Sequence, residues 1–190
     1  MKIAKWFAQW LTSALLCFAL TSSVMSQEVV TIANPDQNDP ETVLASYFRA
    51  INQQDYTLAY SYWDRQSEVQ TTVSLERFIQ GYADTASVEA YFRLPADVGV
   101  ALGTTRGKVP TILRVMRHDG TQHYYTGCYM TRQSAVPVGN PPTEDWNFYI
   151  DEGAMIEVAD ASAAFDQLAQ AYVHVWRFRS GSTDCTKPSQ

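Results

Sequence analysis

The chain has few charged residues and few of the residue types that mark common functional sites. Its 190 residues include 14 Lys and Arg against 20 Asp and Glu, and only three His and three Cys. A net charge of −6 argues against nucleic acid as the main partner, because phosphate backbones are bound by clustered Lys and Arg. With 46% hydrophobic and 13% aromatic residues, wholesale disorder is excluded. The length fits one compact domain.

Motifs that identify common catalytic or metal sites are absent from the sequence. There is no HxxxH, HExxH or CxxC pattern, so no metal site is predicted. There is also no GxSxG nucleophile motif and no GxxxxGK[ST] phosphate loop. The three histidines, His118, His123 and His174, share no ligand spacing with one another. We therefore expect no cofactor.

Residues 1–26 have the pattern of a secretory signal peptide. Lys2 and Lys5 provide the positive start, residues 11–20 form a short apolar core, and residues 24–26 supply small side chains for cleavage. The alternative is an uncleaved anchor helix, which needs about 20 apolar residues to cross the hydrocarbon. Polar residues interrupt the run here, so we expect export to the periplasm or the exterior, with no membrane span after cleavage.

Loss of the leader leaves Cys128 and Cys185 as the only thiols. In an oxidising compartment we expect them to form a disulfide, since only one intrachain pairing exists. The bridge would span 57 positions, which the chain-entropy model values at about 4 kcal/mol. Two separate thiols are the alternative. Zinc binding by this pair is disfavoured, because neither cysteine has a second Cys or His nearby at zinc spacing.

Three amphipathic helices are predicted after a linker at residues 27–39. They begin at Asp39-Pro40, Asp55 and Ser74, where the Asp and Ser side chains can cap the first turns. The apolar positions recur at helical spacing: Val43, Leu44, Tyr47, Phe48 and Ile51 in the first helix, Leu58, Ala59, Tyr62 and Trp63 in the second, and Leu75, Phe78, Ile79 and Tyr82 in the third.

After Asp84 the apolar period changes from 3.6 to 2, which predicts strands. Residues 109–117 and 122–132 are two β-rich runs separated by His118-Asp119-Gly120-Thr121, and Asp-Gly is a strong signal for a two-residue hairpin turn of type I′. A further strand is predicted around residues 146–150. Most of this central region therefore reads as an antiparallel sheet.

The predicted turn also sets a register for the hairpin. It places Met116 opposite His123 and Arg114 opposite Tyr125, so Arg114 would share a face with Tyr125 and Tyr129. An inward arginine needs an anionic partner or ligand, since an unpaired buried charge is costly. A shift of one residue would instead turn Arg114 to solvent.

Helices followed by antiparallel strands define an α+β domain at residues 40–158. Residues 159–190 are predicted to form an additional C-terminal helix and a polar tail. The helix would begin at Asp160 or Ser162 and carry its apolar row on Phe165, Leu168, Tyr172 and either Val173 or Trp176.

The stretch from Glu41 to Asp64, ETVLASYFRAINQQDYTLAYSYWD, resembles the opening of the nuclear transport factor two-like superfamily. The segments FIQGYADTASV and TGCYMTRQ extend this resemblance, which covers about residues 40–150. The sequence is similar to exported, uncharacterised bacterial members of the superfamily. The resemblance implies a cone, in which a curved antiparallel sheet packs on the three helices. It does not imply one function, because this scaffold carries isomerases, dehydratases, transport factors and binding domains.

Aromatic side chains are the main candidates for a ligand site inside such a cone. Rings with hydroxyl groups offer flat apolar walls and hydrogen-bonding handles, although the same rings could simply fill the core. The candidate ligand-binding residues are Tyr47, Trp63, Tyr82, Arg114, Tyr125 and Tyr129, and Phe78 is a further ring that could line or fill the same hollow.

The leading prediction is therefore a non-enzymatic exported domain that binds a small apolar or anionic molecule or supports an envelope protein. An isomerase- or dehydratase-like enzyme is the alternative, with Asp64 or Asp84 as the acid-base group and tyrosine donors for charge on a substrate oxygen. Each aspartate has a structural alternative, since Asp64 can end the second helix and Asp84 can sit in a turn. A third candidate is a homodimer formed through the sheet.

Overall fold

The computed structural model describes residues 30–32, 35–94, 96–101, 103–134 and 143–166. The helices are α1 (Pro40–Asn52), α2 (Tyr56–Ser61), α3 (Glu68–Thr72) and α4 (Leu75–Gly81), preceded by a 3₁₀ turn at Pro35–Gln37. The strands are β1 (Val30–Ile32), β2 (Thr85–Phe92), β3 (Asp97–Ala101), β4 (Thr104–Arg117), β5 (Gln122–Ser134), β6 (Thr143–Asp145) and β7 (Tyr149–Val158). Residues 161–166 are helical.

The helices begin where their capping residues predict. The Asp39 carboxylate accepts from the backbone N–H of Thr42 at 2.7 Å, and Pro40 occupies the first turn of α1. Asp55 caps α2 and Ser74 caps α4 in the same way. A helix that was not predicted, α3, begins after Ser67, whose hydroxyl accepts from a backbone N–H of its first turn.

The second helix is shorter than predicted, because α2 ends at Ser61. Tyr62 and Trp63 leave the helix to meet β7: the backbone N–H of Ile150 donates to the Tyr62 carbonyl, and that of Asp64 donates to the Ile150 carbonyl, both at 2.8 Å. This pairing joins positions almost 90 residues apart. It places the Trp63 side chain against the sheet.

The main sheet confirms the predicted α+β fold. It is curved and open, with the order β2-β4-β5-β7 and with β3 pairing on β4, and all of these pairings are antiparallel. The helices pack on its concave face. A separate parallel pair joins β1 to β6. Among the described residues, no helix is long and apolar enough to span a membrane.

The predicted hairpin register is wrong by one residue. Arg114 lies opposite Tyr124 rather than Tyr125, and Met116 lies opposite Gln122. The turn contains three residues, because the N–H of Gly120 bonds the Arg117 carbonyl at 3.0 Å and the N–H of Arg117 bonds the Thr121 carbonyl at 2.9 Å. Gly120 has φ +84°, the left-handed conformation of a three-residue turn with a bulge, in place of type I′.

The corrected register exchanges the faces of β4 relative to β5. Leu113 and Val109 now share the concave face with Tyr129, and all three belong to the hydrophobic core with the helices. On the outer face, Ile112 and Cys128 are also buried, at 0% and 2% exposure. The predicted leader at 1–26 and the chain beyond residue 166, which includes Cys185 and His174, lie outside the described residues.

Candidate functional site

A pocket of about 510 Å³ lies between the helices and the concave face of the sheet. Helices and strands both line this pocket. The helix α1 and the residues after α2 form one wall, α3 and α4 form another, and β5 and β7 form the floor. The lining consists of Tyr47, Trp63, Val69, Val73, Arg77, Phe78, Gly81, Tyr82, Tyr129 and Gly153. This volume is within the range of small-molecule sites.

Two tyrosine hydroxyls meet in this pocket. The hydroxyl oxygens of Tyr47 and Tyr82 are 2.5 Å apart and share one hydrogen bond, in which either can be the donor. Tyr47 is only 1% exposed, and its ring packs edge-on against Phe48 and Trp63. A hydroxyl has one proton, so the pair uses one proton for its own bond and retains a second for another acceptor.

Burial keeps these phenols protonated. Burial raises the pKa of Tyr47 well above its usual value, and the neighbouring Tyr82 and Tyr129 raise it further. Burial likewise raises the pKa of Tyr82 and that of Tyr129. At neutral pH all three are therefore neutral hydrogen-bond donors, because the apolar surroundings disfavour a phenolate.

Trp63 adds a fourth donor beside the tyrosines. Its side chain is 7% exposed, and its indole N–H makes no hydrogen bond of good geometry in the part of the chain that is described. The indole acts on the Tyr47 hydroxyl in the direction that lowers its pKa, against the larger effect of burial. Because an unsatisfied buried donor is costly, this N–H favours an acceptor from outside.

Gly153 on β7 makes room for the ring of Tyr129. A Cβ atom at this position would lie 2.7 Å from Cε1 of Tyr129 and 3.4 Å from Cη2 of Trp63. The two rings stand at 64° with centroids 6.4 Å apart, an edge-to-face arrangement. A side chain at 153 would therefore push the floor of the pocket into its cavity.

The structure brings together four of the predicted ligand residues, Tyr47, Trp63, Tyr82 and Tyr129, and also Phe78. Tyr125 packs at the edge of the core and is not part of this lining. The sequence left two alternatives for these rings, a filled core and the lining of a ligand pocket. The ring distances agree with both, because the rings pack together as core and leave a hollow beside them.

Arg114 does not face the pocket, which corrects the predicted face. It lies on the outer side of the sheet, where its guanidinium pairs with Glu89, and its side chain is 38% exposed. The Tyr91 hydroxyl also donates to Glu89, at 2.7 Å. The carboxylate and the guanidinium stabilise each other, which lowers the pKa of Glu89 and raises that of Arg114.

Neither candidate acid lies in the pocket. The Asp64 carboxylate accepts from the backbone N–H of Gln66 at 2.7 Å and faces the Arg132 guanidinium at 3.8 Å. Asp84 is exposed after α4, and its carbonyl accepts from the backbone N–H of His118. Their positions are those of turn residues. No residue of the described pocket lining is a carboxylate or an imidazole.

Sequence reasoning missed the contributions of Arg77, Val69 and Val73, which form the rim of the pocket with Gly81. In α4, Arg77, Phe78 and Gly81 occupy positions i, i+1 and i+4, so a helical face was present in the sequence. Because this face contains a charged residue and a glycine, a search for apolar residues at helical spacing does not identify it. Ile79, predicted to be buried, is 38% exposed.

A second groove of about 450 Å³ lies between α1 and β2, and its polar groups already have partners. The Asn52 side chain donates to the Val88 carbonyl at 2.8 Å and accepts from the Val88 N–H at 2.7 Å. Arg49 reaches Ser46 and Asp36. Asn52 therefore serves to satisfy the backbone of an edge strand, which is a structural role.

No family model and no curated protein matches this chain. Solved structures do resemble it. They include a nuclear transport factor 2 (NTF2-like) superfamily protein from Salmonella enterica, with 12% identity, 63% of this chain and 88% of that chain covered, and a TM-score of 0.43. A ketosteroid isomerase-like protein from Erwinia carotovora atroseptica has 11% identity, coverage of 67% and 100%, and a TM-score of 0.44.

A conserved protein from Planctomyces limnophilus is also similar, with 10% identity, coverage of 62% and 94%, and a TM-score of 0.45. The solved structures similar to this chain therefore include proteins described as nuclear transport factor 2-like and as ketosteroid isomerase-like. At this identity the matches concern the fold and carry no information about activity.

Proposed function

We propose that this protein is a binding domain for a small, flat, mainly apolar molecule that carries an oxygen acceptor. The observation that carries the proposal is the convergence of four donors on one pocket whose described lining has no acid. They are the hydroxyls of the buried Tyr47 and Tyr129, the hydroxyl of the half-buried Tyr82 and the indole N–H of Trp63. The predicted leader supports a site of action outside the cytoplasm.

The donors favour an acceptor because their own acceptors are too few. Tyr47 and Tyr82 satisfy one proton between them, and the Trp63 indole N–H makes no hydrogen bond of good geometry with a described residue. A ligand carbonyl or ether oxygen would supply the missing acceptor. A neutral group suits this site, since the raised pKa values of the tyrosines keep the donors uncharged.

The walls favour a flat apolar body. Phe78 and Tyr82 pack with ring centroids 5.2 Å apart, and Tyr82 stacks on Tyr56 at 6.0 Å and 21°. Rings in these arrangements present faces and edges that suit another aromatic or alicyclic ring. Val69 and Val73 extend the apolar surface toward the rim.

Proton transfer in this pocket would require a base that its described lining does not contain. Asp64 and Asp84, the residues of the enzymatic alternative, are held in turns elsewhere. A general base must reach the proton that it removes, directly or through one water. For this reason the proposal is binding and not isomerisation.

The test compares two probes of the same shape that differ in one acceptor. 2-Acetylnaphthalene and 2-isopropylnaphthalene are titrated into the purified protein, with ligand fluorescence as the readout. We expect the ketone to bind about tenfold more tightly, since a net hydrogen bond to buried donors contributes about 1 kcal/mol or slightly more.

Tyr82→Phe should reduce this preference, and Tyr91→Phe is the matched control. Tyr91 is 40% exposed on the outer face and should leave both affinities unchanged. Failure of both probes to bind, or equal affinity for the two, would contradict the proposed function. Hydrogen isotope exchange or isomerisation of an enolisable ketone by the wild type would favour the enzymatic alternative instead.

A further inference from the structure

Arg77 lies at the mouth of the pocket and has no partner for its charge among the described residues. Its backbone N–H donates to the Ser74 hydroxyl, but no carboxylate in the described part of the chain pairs with its guanidinium. Four other arginines do have such partners: Arg49 pairs with Asp36, Arg106 with Asp151, Arg114 with Glu89 and Arg132 with Asp64. Arg65 and Arg117 resemble Arg77 in forming no ion pair with a described residue, but neither of them lines the pocket.

The position of Arg77 distinguishes it from an ordinary solvated arginine. It is an exposed residue on the helix that also carries Phe78, and both residues line the pocket. The described lining contains this one cation and no anion. A protein with a net charge of −6 thus presents a local positive group where a ligand would enter.

The structure of a guanidinium favours a planar oxyanion. Its N–H groups match the two oxygens of a carboxylate in a bidentate arrangement, and such charge-assisted bonds are shorter and stronger than neutral ones. At an exposed rim, solvent and salt screen the attraction between the Arg77 guanidinium and a ligand carboxylate. The pairing should therefore favour acids over neutral ligands while contributing little to the total binding free energy.

We propose that the ligand is an amphipathic acid, with a ring system among the aromatic side chains, an oxygen acceptor at the tyrosines and a carboxylate on Arg77. This inference rests on the proposed function and adds the charge class of the ligand. The aromatic walls alone would also suit a quaternary ammonium group. Arg77 at the mouth and the donor-only interior both oppose a cation.

The experiment uses three probes built on the ketone described above. 6-Acetyl-2-naphthoate, its carboxamide and the corresponding trimethylammonium compound have similar shapes and differ in charge. They are titrated into the full-length mature protein at low and at physiological salt. We expect the carboxylate to bind about threefold more tightly than the amide at low salt, and less than that as salt rises.

Arg77→Gln should remove the preference for the acid over the amide. Arg114→Gln is the matched control, because it makes the same change in net charge on the opposite face of the sheet. It should preserve the preference. A general effect of protein charge would instead weaken the acid equally in both variants, which would overturn the role of Arg77.

The outcomes separate this inference from the proposed function. Equal binding of acid and amide by the wild type, or tighter binding of the ammonium compound, overturns the inference while the pocket remains supported. Loss of binding for all three probes and for the parent ketone contradicts the pocket itself. Circular dichroism of Arg77→Gln verifies that the variant is folded, as expected for an exposed helical position.

Discussion

The two faces of the main sheet differ in how their polar groups are satisfied. On the outer face, Arg114, Glu89 and Tyr91 bond one another, and their side chains are exposed. On the concave face, Tyr129 and the hydroxyl pair above it are buried with donor capacity to spare. A surface whose polar groups are already paired gains little from a ligand, whereas buried spare donors do gain from one.

Both faces nevertheless have buried apolar positions. Leu113 on the concave face is covered by the helices, and Ile112 on the outer face is 0% exposed. The helical residues 161–166 lie on the outer side, where Phe165 contacts Tyr91 with ring centroids 5.6 Å apart. We therefore expect this chain to cover its own outer face. A homodimer through that face stays a prediction of the sequence and would compete with such a cover.

Loss of the predicted disulfide should disturb the outer face most. Cys128 is 2% exposed on that face, and its pairing with Cys185 stays a prediction. Cys185→Ser should destabilise the oxidised protein by about 4 kcal/mol in urea unfolding, because the closed loop constrains the unfolded chain.

Reduction of the wild type should give the same loss, and reduction of Cys185→Ser should give none. Intact-mass analysis of the oxidised wild type with a thiol-alkylating reagent provides the control. Alkylation of both cysteines in denaturant and without a reductant would show that the bond is absent.

Ile112 and Leu113 are consecutive residues on opposite faces of the sheet, so their alanine variants compare how much a buried side chain stabilises each face. Ile112→Ala and Leu113→Ala should each lower the free energy of unfolding by about 3 kcal/mol, since each removes a buried aliphatic side chain. Equilibrium unfolding of both variants in urea provides the measurement. A cost below about 1 kcal/mol for Ile112→Ala alone would show that the outer face is open to solvent in solution.

Tyr82→Phe should lower the free energy of unfolding by about 1 kcal/mol at neutral pH, because the Tyr47 hydroxyl loses its hydrogen-bond partner. The pKa of Tyr82 is raised in the folded state, so its contribution is fully present below the unfolded pKa near 10 and is lost as pH rises above it. Above pH 10 the wild type should therefore lose stability more steeply than the variant, by about 1.4 kcal/mol per pH unit. Parallel stability curves for the two proteins between pH 9 and 11 would show that Tyr82 is solvated.

The pair of Arg114 and Glu89 should have the smallest effect. Both side chains are exposed, and ion pairs in solvent contribute little. Glu89→Gln should be indistinguishable from the wild type in urea unfolding at physiological salt. A clear loss of stability there would mean that the outer face depends on its ion pair.

Local chemistry explains how much of the fold the sequence could predict. Asp39, Asp55 and Ser74 cap helices at the predicted positions because a cap depends on a side chain and the backbone three residues on. The alternation after Asp84 likewise identified β2. Tyr47, Trp63, Tyr82 and Tyr129 are candidates in the sequence because rings with polar groups suit the hollow of a cone, and the four residues line one pocket.

The incorrect predictions depend on details that the local pattern does not determine. Asp119-Gly120 is compatible with turns of two or three residues, and here the Asp119 carboxylate accepts from the Thr121 N–H at 2.9 Å in the longer turn. This one residue reversed the predicted face of Arg114. Trp63 leaves its helix because of Ile150, and no local sequence signal reports a partner so distant.

The vibrational frequency of a bound carbonyl tests most directly whether the concave face has donors for a ligand. The infrared spectrum of 2-acetylnaphthalene bound to the wild type should show its carbonyl stretch shifted to lower frequency than in hexane, because hydrogen bonds weaken the C=O bond. In Tyr82→Phe the shift should decrease. A bound ketone with the hexane frequency would show that the tyrosine and tryptophan donors do not reach it, and would contradict the proposed pocket chemistry.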